Sequence, residues 1–155
     1  MPEQKTNLDT SIKKDFESEF IRERNEWTER IKLLAVRLKN IKEVAGVQVD
    51  LFSYRQILLE YNSSLLQVMT KLNSKLRKDR GDRLKYYSEN HQVKYGANEK
   101  TPLIDADLSE LKERIEIVDT QIGFLNETIK TVDFMLYGVK DRIRVQEFLI
   151  GGTAK

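Results

Sequence analysis

The sequence predicts an all-α protein: long amphipathic helices folded as a helical hairpin and assembled as a homo-oligomer. Three observations carry this. Apolar residues recur at alternating spacings of three and four over most of the chain, the period of one helix face. Only two prolines and seven glycines interrupt the 155 residues, and 34% of them are charged, which suits solvated helix faces better than a mixed sheet. The last apolar seam is long enough for a helix of about 60 Å, more than a compact domain of this size is wide. Such a stripe needs a second copy to cover it. By length the chain is one domain, residues 1–155.

The first helix is expected over about 8–45. Leu8, Ile12, Phe16 and Phe20 are four apart, and Trp27, Ile31, Leu34, Leu38, Ile41 and Ala45 alternate four and three. Arg24 stands where that seam calls for an apolar side chain, so a bend, end or restart of the helix is expected near Ser18–Asn25. Ala45-Gly46-Val47 reads as the break, with Asp50 as N-cap of the next helix. A continuous helix through the glycine is the alternative. The second helix, 51–88, carries Leu51, Tyr54, Leu58, Tyr61, Leu65, Val68 and Leu72 on its seam. Residues 89–104 have no period, and Gly96-Ala97-Asn98 and Thr101-Pro102 punctuate them as a loop. The last helix, 105–150, is capped by Asp105 or Asp107. It shows Leu108, Leu111, Ile115, Val118, Ile122, Leu125, Ile129 and Val132, then Leu136, Val139, Ile143, Gln146 and Ile150, and Gly151-Gly152 stops it. Phe124, Phe134, Tyr137 and Phe148 lie partly off the seam and widen the apolar face.

Charge is segregated along the chain. Lys71, Lys75, Arg77, Lys78, Arg80, Arg83 and Lys85 face only Asp79 and Asp82 within residues 71–88, a net +5 in a chain of net +2. The stretch ends in Tyr86-Tyr87. Cations beside aromatic faces suit a single-stranded polyanion, with phosphates to neutralise and bases to stack on. The same cations have another use. Residues 101–129 hold seven acids against Lys112 and Arg114, a net −5, and in a hairpin this acidic beginning lies beside the basic ending. The tyrosines can equally be core aromatics, since only one of two neighbours faces a given side of a helix.

Catalytic chemistry is largely excluded. No cysteine is present and His91 is the single histidine, so there is no thiolate nucleophile and no imidazole-rich metal site. No glycine-rich phosphate loop opens a helix. Asp105, Asp107, Glu110, Glu113, Glu116 and Asp119 line a helix N-terminal half, where they compensate the dipole instead of converging in a cleft. No cofactor and no metal are expected. No apolar run reaches the ~20 residues of a membrane span, and MPEQKTNLDTSIKKD lacks a signal-peptide core. A cytoplasmic protein without a membrane partner is the expectation.

Arg83-Leu84-Lys85-Tyr86-Tyr87-Ser88, ending a basic helix, is similar to the basic-x-Arg-Leu-x-Tyr-Tyr-Ser stretch of the UvsY-type recombination mediators of tailed phages. The resemblance continues through the Asp105–Leu108 helix start to the aromatic-plus-glycine ending at Phe148 and Gly151-Gly152, covering roughly residues 50–152. It implies an accessory protein without catalysis. Such a protein forms a homo-oligomer, binds single-stranded DNA, and contacts both a RecA-like recombinase and the single-strand-binding protein that the recombinase replaces. Arg83 falls on the family's DNA-contacting arginine, while the companion basic position two residues earlier is Gly81 here. The oligomerisation region corresponds to Val132–Ile150, with Val132, Leu136, Val139, Ile143, Phe148 and Ile150 as its apolar contacts. If phage-encoded, the protein acts in the cytoplasm of an infected bacterium. The rival reading is a structural coiled-coil scaffold or chaperone whose charges pair internally.

Overall fold

The computed structural model describes residues 3–89 and 96–151, with side chains from Phe16 onward, Ala97 excepted. His91 and Gly152 lie outside the described residues. Four α-helices and one 3-10 turn account for nearly all of the described chain, and no strand occurs among these residues: α1 (Glu3–Arg37), the 3-10 turn (Ile41–Glu43), α2 (Val44–Glu89), α3 (Ala97–Asp107) and α4 (Ser109–Gly151). The contacts divide the chain into two compact units. One comprises Met1–Asn62 with Gly123–Lys155, the other Ser63–Ile122, so α2 and α4 each contribute to both.

In the first unit the seams pack as their periods predict. Phe20, Trp27 and Leu34 of α1, Val44, Val47, Leu51 and Leu58 of α2, and Leu125, Ile129, Val132 and Val139 of α4 are all buried. Polar contacts set the directions. Asp50 binds Arg37, Tyr54 meets Trp27 edge-on with centroids 5.5 Å apart, and the Tyr61 hydroxyl donates to Glu23. Residue numbers rise on α2 as they fall on α1, so the two run antiparallel. α2 and α4 do the same: Arg55 donates to Asp133 at 2.6 Å and Asn62 to Asn126 at 3.1 Å.

The corner between α1 and α2 differs from expectation. α1 ends at Arg37, and Gly46 and Asp50 both lie inside α2. Val44 and Val47 are fully buried and extend the α2 seam backwards past the glycine, so burial outweighs its weak helix propensity. The turn is made by Asn40, whose side chain accepts the Lys42 N–H. Arg37 locks it, donating to Glu43 at 2.9 Å and to Asp50 at 2.7 Å. These bonds strengthen the guanidinium's hold on its proton and keep the Glu43 carboxyl below its ordinary value. No break occurs at Ser18–Asn25 either. Arg24 is half-buried in a continuous helix, a site its long aliphatic stem can occupy while the charge reaches water.

The second unit has a thinner core: Leu65 of α2, Ile104 and Leu108 at the end of α3, and Leu111, Val118, Gln121 and Ile122 of α4. Residues 97–104, expected within a loop, are helical and together with residues 105–107 form α3. Gly96 in an extended conformation is its N-cap, and Glu99 reaches back to accept the Gly96 N–H at 2.9 Å. Pro102 sits inside and forgoes one backbone bond, while Ile104 and Leu108 anchor one face. Asp105 and Asp107 therefore belong to α3 and do not cap α4, which starts at Ser109.

Leu58 is fully buried while Ile57 is 47% exposed. Leu58→Ala is expected to cost about 2–5 kcal/mol and Ile57→Ala under ~1 kcal/mol. Urea unfolding midpoints at one protein concentration check this; equal losses would refute the assigned helix faces.

Candidate nucleic-acid interface

The basic stretch is the far end of α2. From Leu66 to Glu89 no residue of this helix is fully buried, and Leu72 and Leu76 are only half-buried. Gly81 is accommodated inside the helix, and a Cβ built there meets nothing within 4 Å.

Helix geometry separates the seven cations by face. A seven-residue step returns to within about 20° of the same direction, so Lys71, Lys78 and Lys85 form a row roughly 10 Å apart, opposite the face of Leu65, Leu72 and Leu76. All three are exposed, as is Arg77. Lys71, Arg77, Lys78 and Lys85 make no ion pair with the described residues; Arg77 lies 3.5 Å from the Ser74 hydroxyl. Lys75 is held by Asp79, one turn on, at 2.6 Å.

Arg80, Arg83 and Tyr87 lie on the other side, that of the α2 seam, and here α3 supplies acids. The Tyr87 hydroxyl donates to Asp107 Oδ2 at 2.9 Å, and Arg83 Nε stands 3.5 Å from the same oxygen. This hydrogen bond favours the protonated phenol and raises its pKa. Lys112 donates to Asp105 at 2.7 Å and, with Arg80 adding attraction, holds the Asp105 carboxyl below its ordinary value. Lys100 donates to the Ser88 hydroxyl at 3.2 Å. The neutralisation of basic end by acidic beginning thus occurs at Arg83 and near Arg80, and does not extend to the lysine row.

The tyrosines divide in the same way. Tyr87 is half-buried, whereas Tyr86 is 43% exposed and meets the Tyr87 ring edge-on at 5.3 Å. Tyr86 is the more exposed of the two rings.

The residues expected to mediate oligomerisation also separate. Val132 and Val139 are fully buried inside the first unit, Leu136 and Ile143 are half-buried, and Phe148 and Ile150 are exposed. The off-seam side chains Phe134, Tyr137, Val145 and Phe148 share the opposite face of α4 and are 60–79% exposed. Sequence periodicity found the inner seam and gave less weight to this outer stripe, although its residues also recur at helical spacing.

No helix among the described residues is long and apolar enough to cross a membrane. A family model described as "Recombination, repair and ssDNA binding protein UvsY" matches residues 47–152, a span that holds nearly all of α2 and all of α3 and α4. No curated protein and no solved structure gives a match.

The Asp105 contact has a pH signature. Its lowered pKa means the folded state favours the carboxylate. The contribution to stability is complete above the unfolded value of about 3.9 and is lost as pH falls through the lower folded value. In Lys112→Met the Asp105 carboxyl resonance should titrate nearer the ordinary range than in the wild type. Identical titrations would rule out the Lys112 bond as the cause.

Proposed function

The chain belongs to the UvsY family of recombination, repair and ssDNA-binding proteins, and from that premise we propose that it is a non-catalytic recombination mediator. In this reading it binds single-stranded DNA along the basic end of α2 and promotes loading of a RecA-like recombinase in place of single-strand-binding protein. The observation that carries the reading is the row Lys71, Lys78 and Lys85, exposed and without ion pairs to the described residues on a helix end that fully buries no side chain. Lysines so placed neutralise phosphates without reading base edges, so binding is salt-dependent and largely sequence-neutral. Tyr86 supplies a stacking face.

A single row of three lysines is a weak site, and the proposal includes its multiplication. The protomer is a helical hairpin of α2 and α4 that associates with further copies through the exposed stripe of α4, Phe134, Tyr137, Val145 and Phe148. Large exposed apolar side chains on one helix face favour such association. Several basic ends in one assembly raise the effective concentration of phosphate contacts. They hold a strand extended for filament nucleation while the recombinase displaces its competitor. The alternative, a structural coiled-coil scaffold, draws on the Arg83–Asp107 and Lys75–Asp79 pairs; it predicts self-association without affinity for DNA.

Fluorescence anisotropy with labelled oligo(dT) over a salt series discriminates the two. The Lys71→Ala/Lys78→Ala/Lys85→Ala variant should bind more weakly, with a salt slope smaller by about 2. Gly81→Lys fills open space on the outer side of the helix and should bind more tightly. Absence of salt-sensitive binding by the wild type would reject the reading in favour of the scaffold.

Light scattering tests the assembly. Phe134→Ser/Phe148→Ser is expected to lower the oligomer mass and to weaken binding to long oligo(dT) more than to short. An unchanged mass would remove the outer stripe of α4 from the interface.

A further inference from the structure

Arg83 and Tyr87 are four residues apart on one face of α2, and both aim at a single atom. Asp107 Oδ2 accepts the Tyr87 hydroxyl at 2.9 Å and lies 3.5 Å from Arg83 Nε. A guanidinium and a phenol converging on one anionic oxygen is a donor set that would equally receive a phosphate oxygen. We propose that Asp107 is an internal stand-in for a nucleic-acid phosphate, and that a DNA strand recruits Arg83 and Tyr87 by displacing it. This rests on the single-stranded DNA reading above and adds a regulatory contact to that site.

Two features of the structure support an exchangeable contact over a structural one. Asp107 does not serve the helix termini around it: the contacts at this junction are Ser109 Oγ to the Ala106 carbonyl and the Leu108 N–H to the Ile104 carbonyl. The ion pair is also long and open, with Arg83 and Asp107 side chains 49% and 30% exposed. Exposed pairs of this kind are weak. Ile104 and Leu108 are buried and keep α3 seated, so the exchange needs only one carboxylate side chain to turn away.

The contact divides binding into two stages. The unpaired lysine row takes the first phosphates. Arg83 and Tyr87 join when the strand competes successfully with Asp107, which makes tight binding depend on how many phosphates are already engaged. In the wild type the carboxylate freed at that step takes up a counterion, cancelling one released from the DNA. Without the carboxylate that cancellation disappears.

A double-mutant cycle on the full chain tests this: wild type, Asp107→Asn, Arg83→Ala and the double variant, each titrated with labelled oligo(dT) over a salt series. Asp107→Asn is expected to tighten binding about threefold, the scale of a weak exposed pair, and to steepen the salt slope by about 0.7. The gain should vanish when Arg83→Ala is added. A gain that persists with Arg83→Ala reflects general loss of negative charge and overturns the proposal, as does unchanged or weaker binding by Asp107→Asn. Asp107→Ser, with helicity followed by circular dichroism, gives the same reading should the asparagine variant fold poorly. If instead the wild type binds no oligonucleotide, the DNA reading itself fails, and the two failures are distinguished by that control.

Discussion

Burial along α2 stops at Leu65 while the helix runs on to Glu89. A helix end without a buried face is held by its own backbone and by the few side chains that reach it. Those side chains are charged or polar: Lys75 to Asp79 along the helix, Arg83 and Tyr87 to Asp107 across to α3. Lys71, Arg77, Lys78 and Lys85, which make no ion pair with the described residues, are left facing water. Core packing thus ends where the charge begins, so the same helix is a packing element at one end and, in the proposed reading, a ligand surface at the other.

α4 meets a related constraint in a different way. Its inner seam is consumed inside the chain's own core at Leu125, Ile129, Val132 and Val139, yet large apolar side chains remain exposed on the opposite face. A single partner helix cannot cover both stripes, because they point in opposite directions. One stripe stabilises the fold, and the other is surplus to it. Surplus apolar surface has a cost in solubility unless something covers it, and this gives the outer stripe its place in the proposed assembly.

Periodicity made the all-α class and the course of α4 legible, because its seam alternates threes and fours with few exceptions. It was less informative wherever a short-range signal competed with burial. Gly46 read as a break, but Val44 and Val47 on either side are core residues, and the real turn lies at Asn40, an N-cap with no glycine beside it. α3 was missed because Pro102 and Gly96 dominate the local reading and only Ile104 and Leu108 mark its buried face. The spacing of Gly96 and Glu99, which matches a capping arrangement, was the available sign. At the site, net charge identified the segment, while its division into an outward lysine row and an inward arginine–tyrosine face follows from helical angle. Which acid meets Arg83 depends on α3 and could not be read from the segment alone.

The Arg37 clamp has a wider consequence. The span shared with the family begins at residue 47, so Arg37, Glu23 and Trp27 lie before it, whereas the groups they hold, Asp50, Tyr61 and Tyr54, lie within it. A chain trimmed to the shared span would keep its lysine row but lose the α1 partners of a carboxylate, a phenol and an aromatic ring along one flank. The identity of those three α2 residues is thus an imprint of α1, and homologues that pair this flank with something else have no physical reason to retain them.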